Sequence, residues 1–325
     1  AKFTALPVTR SGGAIASVTV QEGCDRYCTY CVVPTTRGRE WSRDVEAILG
    51  EVAENVRQGA LEIILLGQNV NAYQGEDRQG LRHDLAALLR RVARVDGVRR
   101  LRFVTSHPAD MSDELVAVFA EVPQVCPYLH LPIQSGADRI LDRMGRNHDV
   151  ATYLTWVDKL RRALPEIALA SDFIVGFPGE SDDDFRQTLD LVDRVGFAHA
   201  YSFQFSPRPE TPAATLPDQI PEAVRAQRLE VLQTRLNAAQ LAANQRQVGR
   251  VEEVLVEGFS KRQDGELTGR TPGYRRVNFP GPATWIGRLV RVEIIAGMAH
   301  SLKGRALDRL PDECNLPDRS PDEGG

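Results

Sequence analysis

Cysteine is scarce in this chain, and most of it is in one place. Of five cysteines in 325 residues, three fall close together at Cys24, Cys28 and Cys31, while Cys126 and Cys314 are isolated. That distribution argues against a disulfide framework and fits a reducing cytoplasm. Also missing is any apolar run approaching the ~20 residues of a membrane-spanning helix, and the start carries no signal-peptide pattern. A net charge of −4, from 40 basic and 44 acidic residues, gives the whole chain no bias toward nucleic acid. The first residue is Ala1 rather than Met, so the sequence reads as a fragment or as a chain missing its beginning. What remains suffices for folding: 42% hydrophobic residues can fill the cores of about two domains.

The even overall charge hides an uneven distribution. From 250 to 310 there are 11 Lys/Arg against 7 Asp/Glu, whereas 311–325 holds one Arg against five acids. A basic module followed by an acidic tail cancels in the sum.

The stretch Gly23-Cys24-Asp25-Arg26-Tyr27-Cys28-Thr29-Tyr30-Cys31 places three thiols in a C-x3-C-x2-C spacing. Thiolates are soft ligands suited to iron–sulfur clusters or zinc. Structural zinc favours four closed ligands, often as two C-x2-C pairs, and this loop offers no fourth. A cubane on three thiolates keeps one iron open for a small molecule. The spacing, with Tyr30 before the last cysteine, resembles the signature of the radical S-adenosylmethionine (SAM) enzymes. The resemblance implies a [4Fe–4S] cluster on Cys24, Cys28 and Cys31. Its open iron would hold the methionine half of SAM and pass the electron that cleaves it to a 5′-deoxyadenosyl radical.

Taken in order, 1–14 is an extended lead-in and 14–20 a strand. A helix at 44–58, capped by Asp44, precedes the apolar run 61–67, which has the pattern of a strand buried on both faces. The alternation continues with helix 82–94, strand 100–105, helix 112–120, strand 126–134, helices 137–143 and 150–163, and strand 167–175. Helix 182–194, with a capping box from Ser181 to Asp184, precedes strand 198–205. Six strand units predict a parallel (β/α) barrel short of the full eight-fold closure. Residues 221–247 predict a long helix with an apolar stripe at Leu229, Leu232, Leu236 and Ala239. From 250 to 310 short strands separated by Gly and Pro predict a small antiparallel barrel. The expected division is lead-in 1–14, partial barrel with linking helix 15–247, small barrel 248–311 and disordered acidic tail 312–325.

In α/β folds ligands sit at the carboxyl ends of strands, and polar or Gly-rich clusters recur there. Gln68 and Asn69, beside Gly67, offer acceptors for an ammonium group; Gln134, Ser135 and Asp172 offer partners for a ribose. Val33 and Phe177 offer apolar contact for adenine, and Gly176 allows close approach. Glu180 is a candidate of equal weight as a helix cap. His107 and His130 read more readily as satisfied histidines than as ligands.

The strings YCTYCVVPTTRGRE, LLGQNVNAY, LHLPIQSGADRIL, SDFIVGFPGE and FSPRPETPA resemble the radical-SAM methylthiotransferases, from about Gly23 to Arg309. Within that family Cys31-Val32-Val33-Pro34 and Leu66-Gly67-Gln68-Asn69-Val70-Asn71 are most similar to the tRNA 2-methylthio-isopentenyladenosine synthase subgroup. The ribosomal-protein aspartate and threonylcarbamoyladenosine relatives are the rival assignments, and a non-catalytic RNA-binding metalloprotein is the rival of another class. LTGRTPGYRRVNFPG resembles the TRAM domain, an OB-like RNA-binding barrel. Arg270, Arg275 and Arg276 there suit phosphates; Tyr274 or Phe279 suits base stacking, with Asn278 between them. The resemblance implies a cytoplasmic, monomeric enzyme acting on the tRNA anticodon stem–loop, with an electron donor such as flavodoxin or ferredoxin and no membrane partner. It also implies a second [4Fe–4S] cluster, the methylthio donor site, on three further cysteines of a preceding domain. Nothing before Cys24 contains cysteine, so the expectation is a chain that cleaves SAM without its sulfur-donating centre.

Overall fold

The computed structural model describes residues 13–261 and 265–309. The expected lead-in (apart from Gly13 and Ala14) and the acidic tail with Cys314 lie outside the described residues. The chain opens with strands β1 (Ile15–Thr19) and β2 (Gln21–Glu22), helix α1 (Val33–Arg37), β3 (Trp41–Ser42) and α2 (Val45–Arg57). Asp44 caps α2 by accepting from Ala47 N–H, as its sequence predicts. Strand β4 (Glu62–Leu66) follows, then a short hairpin, β5 (Gln74–Glu76) and β6 (Arg82–Asp84), that takes the first residues of the helix expected from 82. That helix, α3, is Leu85–Val92, because Asp84 caps it. Strand β7 (Arg100–Phe103), α4 (Asp113–Glu121), β8 (Tyr128–His130), α5 (Asp138–Arg143) and α6 (Val150–Ala163) come next. Then come β9 (Ala168–Val175), α7 (Asp182–Val195), β10 (His199–Gln204) and the long α8 (Glu222–Gln245). The capping box of α7 is present, with Ser181 and Asp184 each accepting from the other's backbone N–H.

Six strands run parallel, but in two three-stranded groups, β1-β4-β7 and β10-β9-β8. Leu101 joins them, donating to Gln124 O at 2.7 Å and accepting from Cys126 N–H at 2.9 Å. Strand β8 keeps only three residues of the run expected at 126–134: Pro132 has no N–H for a ladder, and Gln134 turns to φ 77°. One face of these strands, including Val18, Ile63, Leu65, Leu101, Phe103, Leu129, Leu169 and Phe173, packs beneath the helices as one core. By the two-residue period of a strand, Glu62, Arg100, Arg102, Tyr128 and Asp172 point to the other face.

Strands β11 (Val251–Phe259), β12 (Glu266–Arg270), β13 (Arg276–Pro280), β14 (Leu289–Met298) and β15 (Ser301–Arg309) close a barrel in the order β11-β12-β13-β15-β14. The barrel is not wholly antiparallel: β13 and β15 pair in parallel at Val277↔Leu302. Its core holds Val254, Leu267, Val277, Phe279, Val292 and Leu302.

The two units are joined by buried charge. Arg102 is fully buried, donates to Glu62 Oε1 at 2.7 Å, and gives its other N–H groups to Pro272 O and Thr271 O at 2.6 and 3.0 Å. Arg100 donates to Arg270 O at 3.0 Å and Glu253 O at 2.5 Å. Helix α8 buries Leu232 and Leu236 as its stripe predicts, but Arg228, Gln240, Ala243 and Asn244 complete the buried face, while Ala239 is only half-buried. No helix among the described residues is long and apolar enough to cross a membrane.

Candidate cluster site and nucleic-acid interface

A two-residue ladder, Gln21↔Ser42 and Glu22↔Trp41, draws the cysteine loop shut at its neck. Gly23 turns there with φ 80°, and a Cβ on it would lie 2.1 Å from Arg39 O, so only glycine fits. Gly23→Ala is therefore expected to open the loop and leave iron uptake after anaerobic reconstitution severalfold below wild type, measured as iron per chain. Gln21, fully buried, is the hub of the neck. Its Nε2 donates to Gly23 O at 2.7 Å, and its Oε1 accepts from Gln68 N–H and Asn69 N–H at 2.9 and 3.0 Å. Gln68 returns the contact, its Oε1 accepting from Gly23 N–H at 2.7 Å. Gly67 lies so close that a Cβ would stand 2.6 Å from Gln21 Oε1.

All three loop cysteines are free thiols; Cys28 is buried, Cys24 and Cys31 half-buried. Burial pushes the Cys24 thiol up to about 11 and raises that of Cys31. Thiols held against ionisation in this way become good ligands once a cation supplies the missing positive charge. The surroundings already favour sulfur anions: Val33 N–H donates to Cys31 Sγ at 3.5 Å and Arg146 Nη1 lies 3.7 Å from Cys28 Sγ. Among the described residues, no three His, Cys, Asp or Glu side chains gather as a single-metal site. A cubane instead gives each thiolate its own iron. The donor set of three soft thiolates on one loop fits that group. Distant elements pin the loop: Thr29 N–H donates to Met144 O and Thr29 O accepts from Ala213 N–H, both at 2.9 Å. The Tyr30 ring meets Phe177 edge-on at 6.5 Å, and Phe177 meets Phe205 at 5.2 Å.

The candidate small-molecule residues divide into free and occupied groups. Asn69 Nδ2 donates to Glu40 Oε1 and Asp110 Oδ2 at 3.1 and 2.9 Å, while its buried Oδ1 has no partner among the described residues. Asp172 Oδ1 meets His130 Nε2 at 3.0 Å and is partly open. Gln134 sits at the positive-φ turn after β8. Ser135 is fully buried, its Oγ accepting from Ala137 N–H at 3.2 Å. Gly176 turns with φ 68° and donates to Glu180 Oε2 at 2.7 Å, and Arg228 Nη1 donates to the same oxygen at 2.7 Å. Burial raises the Glu180 pKa even so. Its carboxylate thus ties the Gly176 turn to Arg228 of α8 and caps no helix, since Ser181 is the N-cap of α7. Phe177 is buried in a small core with Ile140 and Phe205.

Sequence reasoning missed a polar group beside the loop. Arg26 pairs with Asp110, and Arg146 is buried with its Nη2 on Pro132 O at 2.5 Å. His107 and His148 meet edge-on at 5.4 Å. Burial, with Arg146 nearby, holds both neutral, moving His148 down to about 3 and His107 further. His107 Nδ1 accepts from Ala109 N–H at 3.1 Å, but its buried Nε2 has no partner among the described residues, so it is only half the satisfied histidine its sequence suggests. Only the position of His107 after β7 carried a signal; nothing in the local sequence singles out Gln21 or Arg146.

The nucleic-acid residues need correction. Phe279 is 0% exposed in the barrel core, so it cannot stack on a base. Phe279→Ala is expected to cost about 3–5 kcal/mol of barrel stability, read by thermal unfolding. Tyr274 is also engaged, at φ 64°: its ring lies 4.8 Å from that of Tyr128 and under the guanidinium groups of Arg270 and Arg102 at 4.4 and 4.9 Å. It is a joint between the units rather than a stacking platform. Arg270 also pairs with Glu257 at 3.4 Å. Arg275 is half-buried and its pKa lowered by burial; Arg276 is exposed and Asn278 half-buried. Arg270, Tyr274, Arg275, Arg276 and Asn278 all line one cleft of about 1010 Å³, between β10, α8 and the barrel.

Comparison with known proteins places these two units. Residues 18–192 match the Radical SAM superfamily and 245–307 the TRAM domain. The tRNA-2-methylthio-N(6)-dimethylallyladenosine synthase of Magnetococcus marinus is 59% identical over 306 residues, 94% of this chain and 70% of that protein. The enzyme of the same name from Acidithiobacillus ferrooxidans is 52% identical, over 97% of this chain and 70% of its own length. Among solved structures, a radical S-adenosylmethionine methyltransferase of Kitasatospora setae aligns with TM-score 0.51 at 19% identity, covering 62% of this chain and 39% of that one. Coproporphyrinogen III oxidase of Escherichia coli aligns with TM-score 0.51 at 12% identity, covering 88% and 68%. Those two share the fold.

Proposed function

The chain belongs to the tRNA-2-methylthio-N(6)-dimethylallyladenosine synthase family of radical SAM proteins, and from that premise we propose that it acts in 2-methylthiolation of isopentenyladenosine in tRNA. The observation that carries this reading is the loop of three free thiols with no fourth ligand, tied at its neck by Gln21 and Gln68 at the strand ends. Cys24, Cys28 and Cys31 would hold a [4Fe–4S] cluster; with SAM it supplies the adenosyl radical that removes hydrogen from carbon 2 of the adenine. The chain's own residues do the holding. Gln21 and Gln68 fix the loop, Arg146 and Val33 N–H favour sulfur anions, and Asn69 Oδ1 is a free acceptor suited to the SAM ammonium. Asp172 and Gln134 are the candidates for its ribose.

In this reading the six parallel strands act as one partial barrel over 15–247, and 248–311 is the TRAM unit that binds the anticodon stem–loop. The chain works as a cytoplasmic monomer supplied with electrons by a flavodoxin or ferredoxin. The test is anaerobic reconstitution followed by incubation with SAM, reductant and isopentenylated tRNA carrying deuterium at carbon 2 of the target adenine. Deuterium recovered in 5′-deoxyadenosine is the expected result. Formation of 5′-deoxyadenosine without deuterium would refute this substrate.

A further inference from the structure

The cleft between β10, α8 and the small barrel contains three aromatic rings absent from the sequence-derived RNA residues. Tyr201 and Phe203 are each 54% exposed and Phe259 is 59% exposed, and all three line it. Large rings left open at one concave site mark a binding surface rather than a core. Tyr201 and Phe203 stand two apart on β10, hence on one face, and β10 is the edge strand of its sheet. A bulge between Val256 and Gly258 breaks the alternation of β11 just before Phe259. The cleft's charge is one-sided: Lys261, Arg270, Arg275 and Arg276 face a single carboxylate, Glu257, which Arg270 already pairs. Lys261 and Arg276 have no carboxylate partner among the described residues. Strand β10, which lines the cleft, ends toward the cysteine loop: Phe205 follows it directly and packs on Phe177, which packs on Tyr30.

We propose that this cleft binds an unpaired RNA strand, with bases stacked on Phe203 and Phe259 and phosphates held by Lys261 and Arg276. Rings joined to cations suit single-stranded RNA, because every base has a face to stack and every linkage a charge. A duplex hides its base faces and gains only the charge. The proposal rests on the tRNA reading above and names the part of the RNA that is held and by which side chains. Tyr201 belongs to the surface but also meets His130 edge-on at 6.4 Å, so it is left out of the test.

The experiment is fluorescence anisotropy of a labelled anticodon stem–loop RNA with the whole chain across a salt series. Phe203→Leu and Phe259→Leu, which keep apolar bulk but remove the ring, should each weaken binding about tenfold, or about 1.4 kcal/mol. Phe203→Trp and Phe259→Trp should retain it. Lys261→Ala with Arg276→Ala should flatten the slope of log affinity against log salt by about 1.4. Because these side chains are exposed, thermal unfolding and iron content should match wild type. A fully paired RNA duplex should compete poorly. Wild-type affinity in the two leucine variants, or equal competition by the duplex, would overturn the cleft while leaving the tRNA reading intact. Failure of the wild-type chain to bind tRNA at all would overturn both.

Discussion

Replacing Cys28 with alanine is expected to abolish iron uptake and, with it, SAM cleavage. Cys28 is the buried member of the three, and Arg146 lies against its sulfur. A cluster on two thiolates would expose a second iron and lose the sulfur anion that Arg146 faces in the interior. Arg146 would keep only its bond to Pro132 O there. After anaerobic reconstitution the wild-type chain should hold about four irons, as a [4Fe–4S] centre requires, and the variant close to none. Formation of 5′-deoxyadenosine should fall to background in parallel. The fold should survive, because the loop's neck is made by Gln21, Gly23 and Gln68 and its clamps by Thr29. Stoichiometric zinc in the wild type, with no iron uptake, would refute the assignment.

Arg102→Leu should produce a large loss of stability. Arg102 is fully buried and Glu62 nearly so, at 2% exposed. Removing the guanidinium leaves the Glu62 carboxylate buried with only the more distant Arg100, at 3.8 Å, and strips the donors from Thr271 O and Pro272 O. Breaking a buried pair by deleting one partner typically costs about 3–5 kcal/mol. The lost carbonyl contacts are those that seat the small barrel on the parallel strands, so protease cleavage between the units should accelerate along with the fall in unfolding midpoint. Glu62→Leu combined with Arg102→Met should recover much of the stability, since apolar replacement of a whole pair is often near neutral. An unchanged midpoint for the single variant would show that the pair does not join the two units.

The sequence made the strand–helix alternation and the cysteine loop legible because both depend on local pattern. The capping box of α7 lies within four consecutive residues, and the ligand spacing lies within one loop. What stayed hidden was determined across distance. Glu62 sits in a run that reads as apolar, and its partners Arg102 and, beyond it, Thr271 and Pro272 are remote in sequence. Gln21 and Arg146 became visible only once the strand ends converged. Phe279 is a different case. Along β13 the two-residue period already places it beside Val277, on the face that became the barrel core. Its aromatic ring suggested stacking, while its register indicated burial. The exposed aromatics instead fall on an edge strand and beyond a bulge, where alternation is weakest as a guide.

The clamps on the cysteine loop also set an order of assembly. Thr29 is held by Arg143 O, Met144 O and Ala213 N–H, and Cys28 faces Arg146. Ala213 follows Thr29 by 184 positions. At ribosomal speeds of about 5–20 residues per second, the cysteines emerge on the order of 10–40 s before the last clamp is made. For that interval the three thiols are loose and open to oxygen and to stray metals. Closing so long a loop comes late in folding, after its local helices have formed. A nascent chain stalled before Ala213 therefore has all three thiols but lacks the last of the contacts that hold Thr29.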